Sequence, residues 1–490
     1  MNSYIGIDLG TSSVKLLLVS ADGKILKSAT QDYPIAYPKN GWSEQNPTDW
    51  FDATIRGINI LLDGHDKKSV KGISFGGQMH GLVALDKNDD VIRPAILWND
   101  GRTQEQSDRL NREVGKKTLS KYTANISFAG FTAPKILWIE ENEPENFAKI
   151  EKIMLPKDYL AFKLSGVHAT DLSDASGMLL LDVENRKWSE EMIEICHAKR
   201  EWLPKLYESY EPIGTLKGEI CDLTGLDSDV IVCAGAGDNA AAAVGTGTVK
   251  DGDCNISLGT SGTVFISKDN FSVDSANALH SFCHASGKYH LMGCILSAAS
   301  CNKWWMENVL ETGDYSGEQE GLERYLGKNS VFFLPYLMGE RSPHNDTDAK
   351  GAFIGMRPNT TRKELTLAVM EGVTFALRDC IEIAKKSGVR IDKSLICGGG
   401  AKNKIWRQVC ANILGIEIMR PQVEEGPAYG GAILAMVGAK EYASIDEATS
   451  KLVSVLDTTY PDPDLVKAYE EKYQTFKALY PALKDVYKLI

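Results

Sequence analysis

At 490 residues the chain exceeds the ~250 to 300 residues that one hydrophobic core supports, so two large lobes are expected. Hydrophobic residues at 43%, charged residues at 24% and 44 glycines fit a soluble protein with tight turns and argue against disorder. A formal charge of −12 argues against nucleic acid or anionic lipid as a partner, and no apolar run reaches the ~18 residues of a membrane helix, so small-molecule partners and a cytoplasmic location are expected.

The first predicted element is a strand, Tyr4-Ile5-Gly6-Ile7-Asp8, which enters the turn Leu9-Gly10-Thr11-Ser12-Ser13 and leaves as an apolar strand over 14–19. A second strand over 71–75 leads through Gly76-Gly77 into Gln78-Met79-His80. The apolar run 95–97 leads into Trp98-Asn99-Asp100-Gly101-Arg102. Met79, His80, Trp98 and Asp100 join an apolar face to hydrogen-bonding groups, as a polyol site requires; buried core roles for His80 and Trp98 are the competing reading.

A strand over 229–233 precedes Gly235 and an alanine-rich helix over 240–244. Asp238 falls at the N-terminal end of that helix, where the dipole and free amides keep a carboxylate ionised and able to act as general base. An ordinary helix cap is the alternative. Gly235 to Ala240 also matches a relaxed dinucleotide fingerprint, but Asp238 would aim its charge at the pyrophosphate. The glycine-rich stretch 245–252 marks a boundary between lobes spanning 1–247 and 248–490.

The second half repeats the first turn as Leu258-Gly259-Thr260-Ser261-Gly262, 249 residues after Leu9, about half the chain length. Glycine lets the backbone turn sharply while Thr and Ser offer hydroxyl and amide donors, so two such hairpins can grip a polyphosphate from both sides through Thr11, Ser12, Gly259 and Thr260. The copies differ in one respect. Asp8 precedes the first turn and Ser257 the second, which assigns Mg²⁺ to Asp8, because that ion takes one or two carboxylates together with phosphate oxygens and water.

Beyond the repeat, His280, His284, His290 and Cys283 read as a hairpin more readily than as a metal site. A long helix is predicted over 363–386, a strand over 394–397, a helix over 404–414 and a helical tail over 465–490. Gly398-Gly399-Gly400-Ala401-Lys402-Asn403 follows a strand and opens a helix, which suits Gly399, Gly400 and Asn403 to an adenosine; a turn with Asn403 as cap is the simpler reading. No Walker sequence occurs, and the ten cysteines include no Cys-x-x-Cys pair, which fits reduced thiols.

From Ile5 to about Gly438 the chain resembles the FGGY family of carbohydrate kinases. The similarity is carried by Gly130-Phe-Thr-Ala-Pro-Lys135-Ile-Leu-Trp138, by Gly351-Ala-Phe-Ile-Gly355-Met and by Glu364-Leu-Thr-Leu-Ala-Val-Met-Glu371. Further stretches, Gly76-Gly-Gln-Met-His-Gly81, Leu155-Pro-Lys-Asp-Tyr-Leu160, Thr170-Asp-Leu-Ser-Asp-Ala-Ser-Gly177 and Gly339-Glu-Arg-Ser-Pro-His344, are similar to members that phosphorylate D-xylulose. The resemblance implies an α/β fold of two RNase H-like lobes, of the actin and hexokinase ATPase type, around a central cleft. It implies ATP with Mg²⁺, Asp238 as base, Met79, His80 and Asn239 on the sugar, Asp8 at the metal-phosphate centre, and Gly399, Gly400 and Asn403 on the nucleotide. Kinases of ribulose or erythritol, a silent sugar sensor and a filament-forming actin relative are the competing readings. A homodimer is compatible with the sequence, which contains no recognisable self-association segment.

Overall fold

Two seven-stranded sheets built on one strand plan organise the chain in a computed structural model that describes all 490 residues. In the first sheet β1 (Ser3–Leu9), β2 (Ser13–Ser20) and β3 (Ile25–Asp32) form an antiparallel meander. β4 (Val70–Gly77) joins the other side of β1 in parallel, followed outward by β6 (Ile231–Cys233) and then β5 (Pro212–Thr215), while β7 (Ala236–Gly237) pairs with the end of β4. The second sheet contains β8 (Cys254–Leu258), β9 (Gly262–Lys268), β10 (His280–Cys283), β11 (Tyr289–Ile295), β12 (Lys393–Cys397), β13 (Glu417–Pro421) and β14 (Val455–Thr459). Its order is β10-β11-β9-β8-β12-β13-β14, so β8 holds the central position that β1 holds in the first sheet. The two predicted hairpins are therefore the same corner of two copies of one topology.

The helices that matter for the cleft are α1 (Pro47–Leu62), α2 (Thr132–Asn142), α3 (Pro156–Ser165), α4 (Asp238–Thr246), α5 (Arg362–Lys386), α6 (Lys404–Leu414), α7 (Gly426–Gly438) and α8 (Pro463–Tyr487). α5 starts one residue before the sequence expectation because Thr361 and Glu364 cap it reciprocally. α4 also begins earlier than expected, so that Asp238 is its first residue and Gly237 takes the cap position.

The cut in sequence and the packing in space do not coincide. α7 is apolar and buried around its circumference, and it lies against α4 and against β1 and β4 of the first sheet. Close approach is possible only because glycines face backbone: a Cβ on Gly6 would strike the Ala428 carbonyl, one on Gly245 that of Gly426, and one on Gly430 that of Ala241. A helix from the second half of the chain thus completes the floor of the first lobe. The floor carries Asp8 and Asp238.

Candidate functional site

Asp8 and Asp238 stand at the carboxyl ends of neighbouring parallel strands. β4 is paired with β1 through Asp8 opposite Gly76, and with β7 through Gly237 opposite Gly77, which brings the two carboxylates to one edge of the sheet. Both are half-buried. Asp8 accepts no hydrogen bond from the protein, and burial followed by the neighbouring Asp238 pushes it up to about 7, against the opposing pull of Lys15. Lys15 lies opposite Asp8 across the hairpin and is paired with Glu425. Burial raises Asp238 to about 6, while hydrogen bonds from Asn239 act the other way. Those bonds, from the Asn239 backbone N–H at 2.7 Å and its carboxamide Nδ2 at 2.8 Å, both go to Oδ1. Oδ2 is left facing the cleft without a partner. Two carboxylates with free oxygens and no ion pair of their own fit a hydrated Mg²⁺, which needs no third protein ligand when phosphate oxygens complete its shell.

The turns on either side are held from behind. Tyr33 donates to the Gly10 carbonyl, Gln45 Nε2 to the Thr11 carbonyl at 2.6 Å, and the Trp98 indole N–H to Thr11 Oγ1 at 3.0 Å. In the second turn Ala299 N–H donates to the Gly259 carbonyl at 2.8 Å and Ala298 N–H to that of Thr260 at 2.9 Å. The amides of Thr11, Ser12, Thr260 and Ser261 donate to nothing in the protein. Carbonyls turned back and amides turned out make anion-binding concavities. Because Trp98 already occupies a lone pair of Thr11 Oγ1, the hydroxyl proton is free to point elsewhere.

Farther along the cleft, His80 has φ 68°, in the left-handed region, and its ring lies against Phe131 with centroids 4.7 Å apart. Its Nδ1 is 2.8 Å from the Gly177 carbonyl, which can only accept, so Nδ1 carries the proton and Nε2 presents a lone pair. Burial, assisted by Lys135, lowers His80 to about 3 and keeps the ring neutral. Met79, His80, Trp98, Asp238 and Asn239 line one cavity of about 240 Å³ together with Ser257, Gly259, Thr263 and Arg341 of the second half. Asp238, Asn239, Ser257 and Thr263 also line a cavity of about 260 Å³ that reaches Cys397, Gly398 and Glu424. Those three in turn border a space of about 310 Å³ beside Gly399, Lys402 and Arg420. The cleft is continuous from His80 to Lys402.

Asp100 does not share this cavity with Met79 and His80. Its Oδ2 accepts from Ser43 N–H at 2.6 Å and its carboxylate pairs with Arg102 at 2.7 Å, while Arg102 stacks 3.7 Å over Trp42; Asp100 borders instead an adjoining space of about 400 Å³ that Trp98 and Arg341 also line. Asn403 is likewise engaged, with Oδ1 capping α6 at Trp406 N–H and Nδ2 donating to Gln319, which matches the simpler reading of that residue. Gly398 and Gly400 fold onto Leu258 of the second turn, whereas nothing lies within 4 Å of a Cβ built on Gly399. His280, His284 and His290 are buried among Phe265 and Phe282, and no group of three ligands there is arranged for a metal.

Read as isolated letters, Lys157, Lys135 and Arg341 carry no signal of a role, although each lies in a stretch that carries the family likeness. Buried Lys157 is ringed by Asp158 at 2.6 Å, Asp171 at 2.9 Å and Asp174 at 3.7 Å. Asp171 holds Ser173 Oγ at 2.5 Å, and Ser173 Oγ receives the N–H of Gly237 at 3.2 Å, one residue before Asp238. This network fixes the strand end from which Asp238 projects.

Family models for the FGGY carbohydrate kinases match both parts of the chain, the N-terminal domain over residues 3–245 and the C-terminal domain over 254–439. The chain belongs to the FGGY family of carbohydrate kinases. Members of this family use ATP with Mg²⁺. Similar proteins include a xylulose kinase of Escherichia coli, 40% identical over 98% of this chain and 99% of the relative, and one of Lactococcus lactis, 39% identical over 99% and 98%. Among solved structures, a xyloylose kinase from Brucella ovis is 38% identical with a TM-score of 0.93, covering 99% of this chain and 100% of the other. A gluconate kinase from Lactobacillus acidophilus superposes with a TM-score of 0.95 at 25% identity, covering 99% of each chain. The fold alone therefore does not name the sugar, since this neighbour is a gluconate kinase while the relatives at 38–40% identity are named for xylulose. No helix of this kinase is long and apolar enough to cross a membrane, and all ten cysteines are unpaired.

Proposed function

We propose that this FGGY kinase transfers the γ-phosphoryl group of ATP to the C5 hydroxyl of D-xylulose, yielding D-xylulose 5-phosphate and ADP. The observation that carries the reading is the unpartnered Asp238 Oδ2, exposed where the sugar cavity meets the cavity leading to Gly398. An ionised carboxylate there accepts the hydroxyl proton as the C5 oxygen attacks phosphorus and the bond to ADP breaks, its electron pair leaving with ADP. The free amides of Thr11, Ser12, Thr260 and Ser261 receive the charge that develops on the phosphate oxygens. Asp8 would hold Mg²⁺, and when bound the ion would add to the neutralisation of that charge. His80 Nε2 accepts a sugar hydroxyl, Asn239 offers its free carboxamide oxygen, and Met79 and Trp98 provide the apolar face. Gly399 leaves its side of the loop open for the adenosine, and Gly400 gives the close packing beneath it. Asp100 supports the site by orienting Arg102 and the loop that carries Trp98.

A two-lobe division at about residue 247 is part of the same reading, and Gly247, with φ 76°, ends α4 at that point. Ten reduced cysteines support residence in the cytoplasm. The test is a coupled phosphorylation assay over a panel of ketoses and polyols, with and without magnesium. D-xylulose is expected among the best substrates and turnover is expected to vanish without the metal; another sugar leading the panel by tenfold or more would overturn the assignment.

A further inference from the structure

Arg341 lies in the second half of the chain and is half-buried, yet its guanidinium has no ion-pair partner. Its backbone N–H bonds to Glu340, and its side chain lies 5.0 Å over the Phe128 ring of the first half. The Cys294 thiol and the Glu340 carboxylate lie near enough to feel its charge, without forming an ion pair with it. It is close enough to His80 and His280 to help lower both. A guanidinium with no carboxylate within ion-pair distance keeps its N–H donors available to a ligand in the cavity it lines.

The order of the cavities says which part of a ligand does so. Asp238 lines the sugar cavity and the one toward the nucleotide. Arg341 lines the sugar cavity and a space of about 400 Å³ on the side away from the nucleotide, bounded by Asn99, Ser127, Phe128 and Asn345. A sugar whose C5 hydroxyl rests on Asp238 therefore extends its C1–C2 end toward Arg341. This step rests on the function proposed above.

We propose that Arg341 binds the C2 carbonyl oxygen of the substrate and makes the enzyme prefer a ketose over the corresponding alditol. Guanidinium has five N–H donors and no acceptor, and a ketone oxygen is acceptor-only, so the two match. The C2 hydroxyl of an alditol brings a proton that needs an acceptor, and Arg341 offers none. Sites that read a donor or acceptor in this way discriminate more strongly than apolar pockets do. Because Arg341 belongs to the second half while His80 and Asp238 belong to the first, the same contact ties the halves together through the sugar.

Arg341→Gln and Arg341→Lys test the proposal, with kcat and KM measured for D-xylulose and for xylitol and thermal melting used to confirm folding. A charged hydrogen bond is worth about 1.5 to 3 kcal/mol, so Arg341→Gln is expected to lower kcat/KM for D-xylulose about 10- to 150-fold, mostly through KM. The loss on xylitol should stay within about threefold, the KM for ATP should not move, and Arg341→Lys should recover part of the preference. Equal losses on the two substrates, no loss on either, or a loss confined to ATP would overturn the role of Arg341. A parent enzyme inactive on every ketose would instead remove the reading on which it rests.

Discussion

Lys135 donates from inside the protein to the carbonyl oxygen of His80, 2.7 Å away. The same ammonium reaches the Gly130 carbonyl at 2.7 Å, and Thr132 Oγ1 is a second donor to His80, at 3.1 Å. A residue other than glycine with positive φ persists when its surroundings over-determine it, and these donors do so for His80. Burial and nearby Arg102 lower Lys135 to about 7, with Asp100 opposing them, so its charge is held at a cost that the two carbonyls offset.

Lys135→Met should consequently loosen the His80 loop without touching the base. The Gly130 carbonyl would be left without a donor, at about 1 to 3 kcal/mol, and that of His80 would keep only Thr132, so lower thermal stability and roughly a tenfold rise in sugar KM are expected, with kcat changed less. Steady-state kinetics and a melting curve decide it. A variant with normal KM would mean that His80 is positioned by Thr132 and Gly177 alone.

Asp238→Asn keeps the shape of the base and removes its ability to take a proton. Turnover should fall by about 10² to 10⁴-fold, the usual share of general base catalysis, while sugar affinity measured by calorimetry changes only a few-fold. If turnover survives, the proton leaves by another route, for instance to a phosphate oxygen, and Asp238 serves only to hold Asn239.

The elevated carboxylates give activity and stability opposite dependences on pH. Asp238 must be ionised to act, so kcat/KM should fall as pH drops through about 6. For stability the sign reverses. Asp8 and Asp238 have folded values near 7 and 6 against ordinary values of 3.8, so the folded state holds protons that the unfolded state has released between those limits. Their contribution is therefore full at low pH and is lost as pH rises through the folded values. Without nucleotide or metal, Asp8→Asn should be more stable than the parent at about pH 8, by roughly 1 to 3 kcal/mol once screening by solvent is discounted, and the gap should close toward about pH 4. Urea midpoints across that range measure it, and a parent more stable than the variant at about pH 8 would contradict the assignment of unpaired charge to Asp8.

The chain repeat was readable because a turn needs the same small residues wherever it occurs. Leu9-Gly10-Thr11-Ser12 and Leu258-Gly259-Thr260-Ser261 gave the hairpins and the asymmetry between Asp8 and Ser257. Long periodic elements such as α5 and α6 were equally legible. What the sequence did not convey is long-range pairing. Nothing local distinguishes the carboxylate of Asp100 from that of Asp238; only the fold shows that the first is spent on Ser43 and Arg102 while one oxygen of the second stays free. Lys157 looks like any helical lysine until the chain brings three aspartates around it. The placement of α7 on the first sheet depends on glycines far apart in sequence, which no periodicity reports.

Those glycines separate structural from functional positions in one comparison. A methyl on Gly430 meets the Ala241 backbone, which belongs to a helix and cannot yield, so Gly430→Ala should force α7 away from α4 and cost at least ~1 to 3 kcal/mol, with activity lost in proportion to folded protein. A methyl on Gly399 meets nothing of the protein, so Gly399→Ala should leave the melting temperature within error. If the nucleotide approaches that face of the loop, the KM for ATP should nevertheless rise several-fold while the sugar KM stays constant. An unchanged ATP KM would move the adenosine off Gly399, and a destabilised Gly399→Ala would show that the loop closes on itself when no ligand is bound.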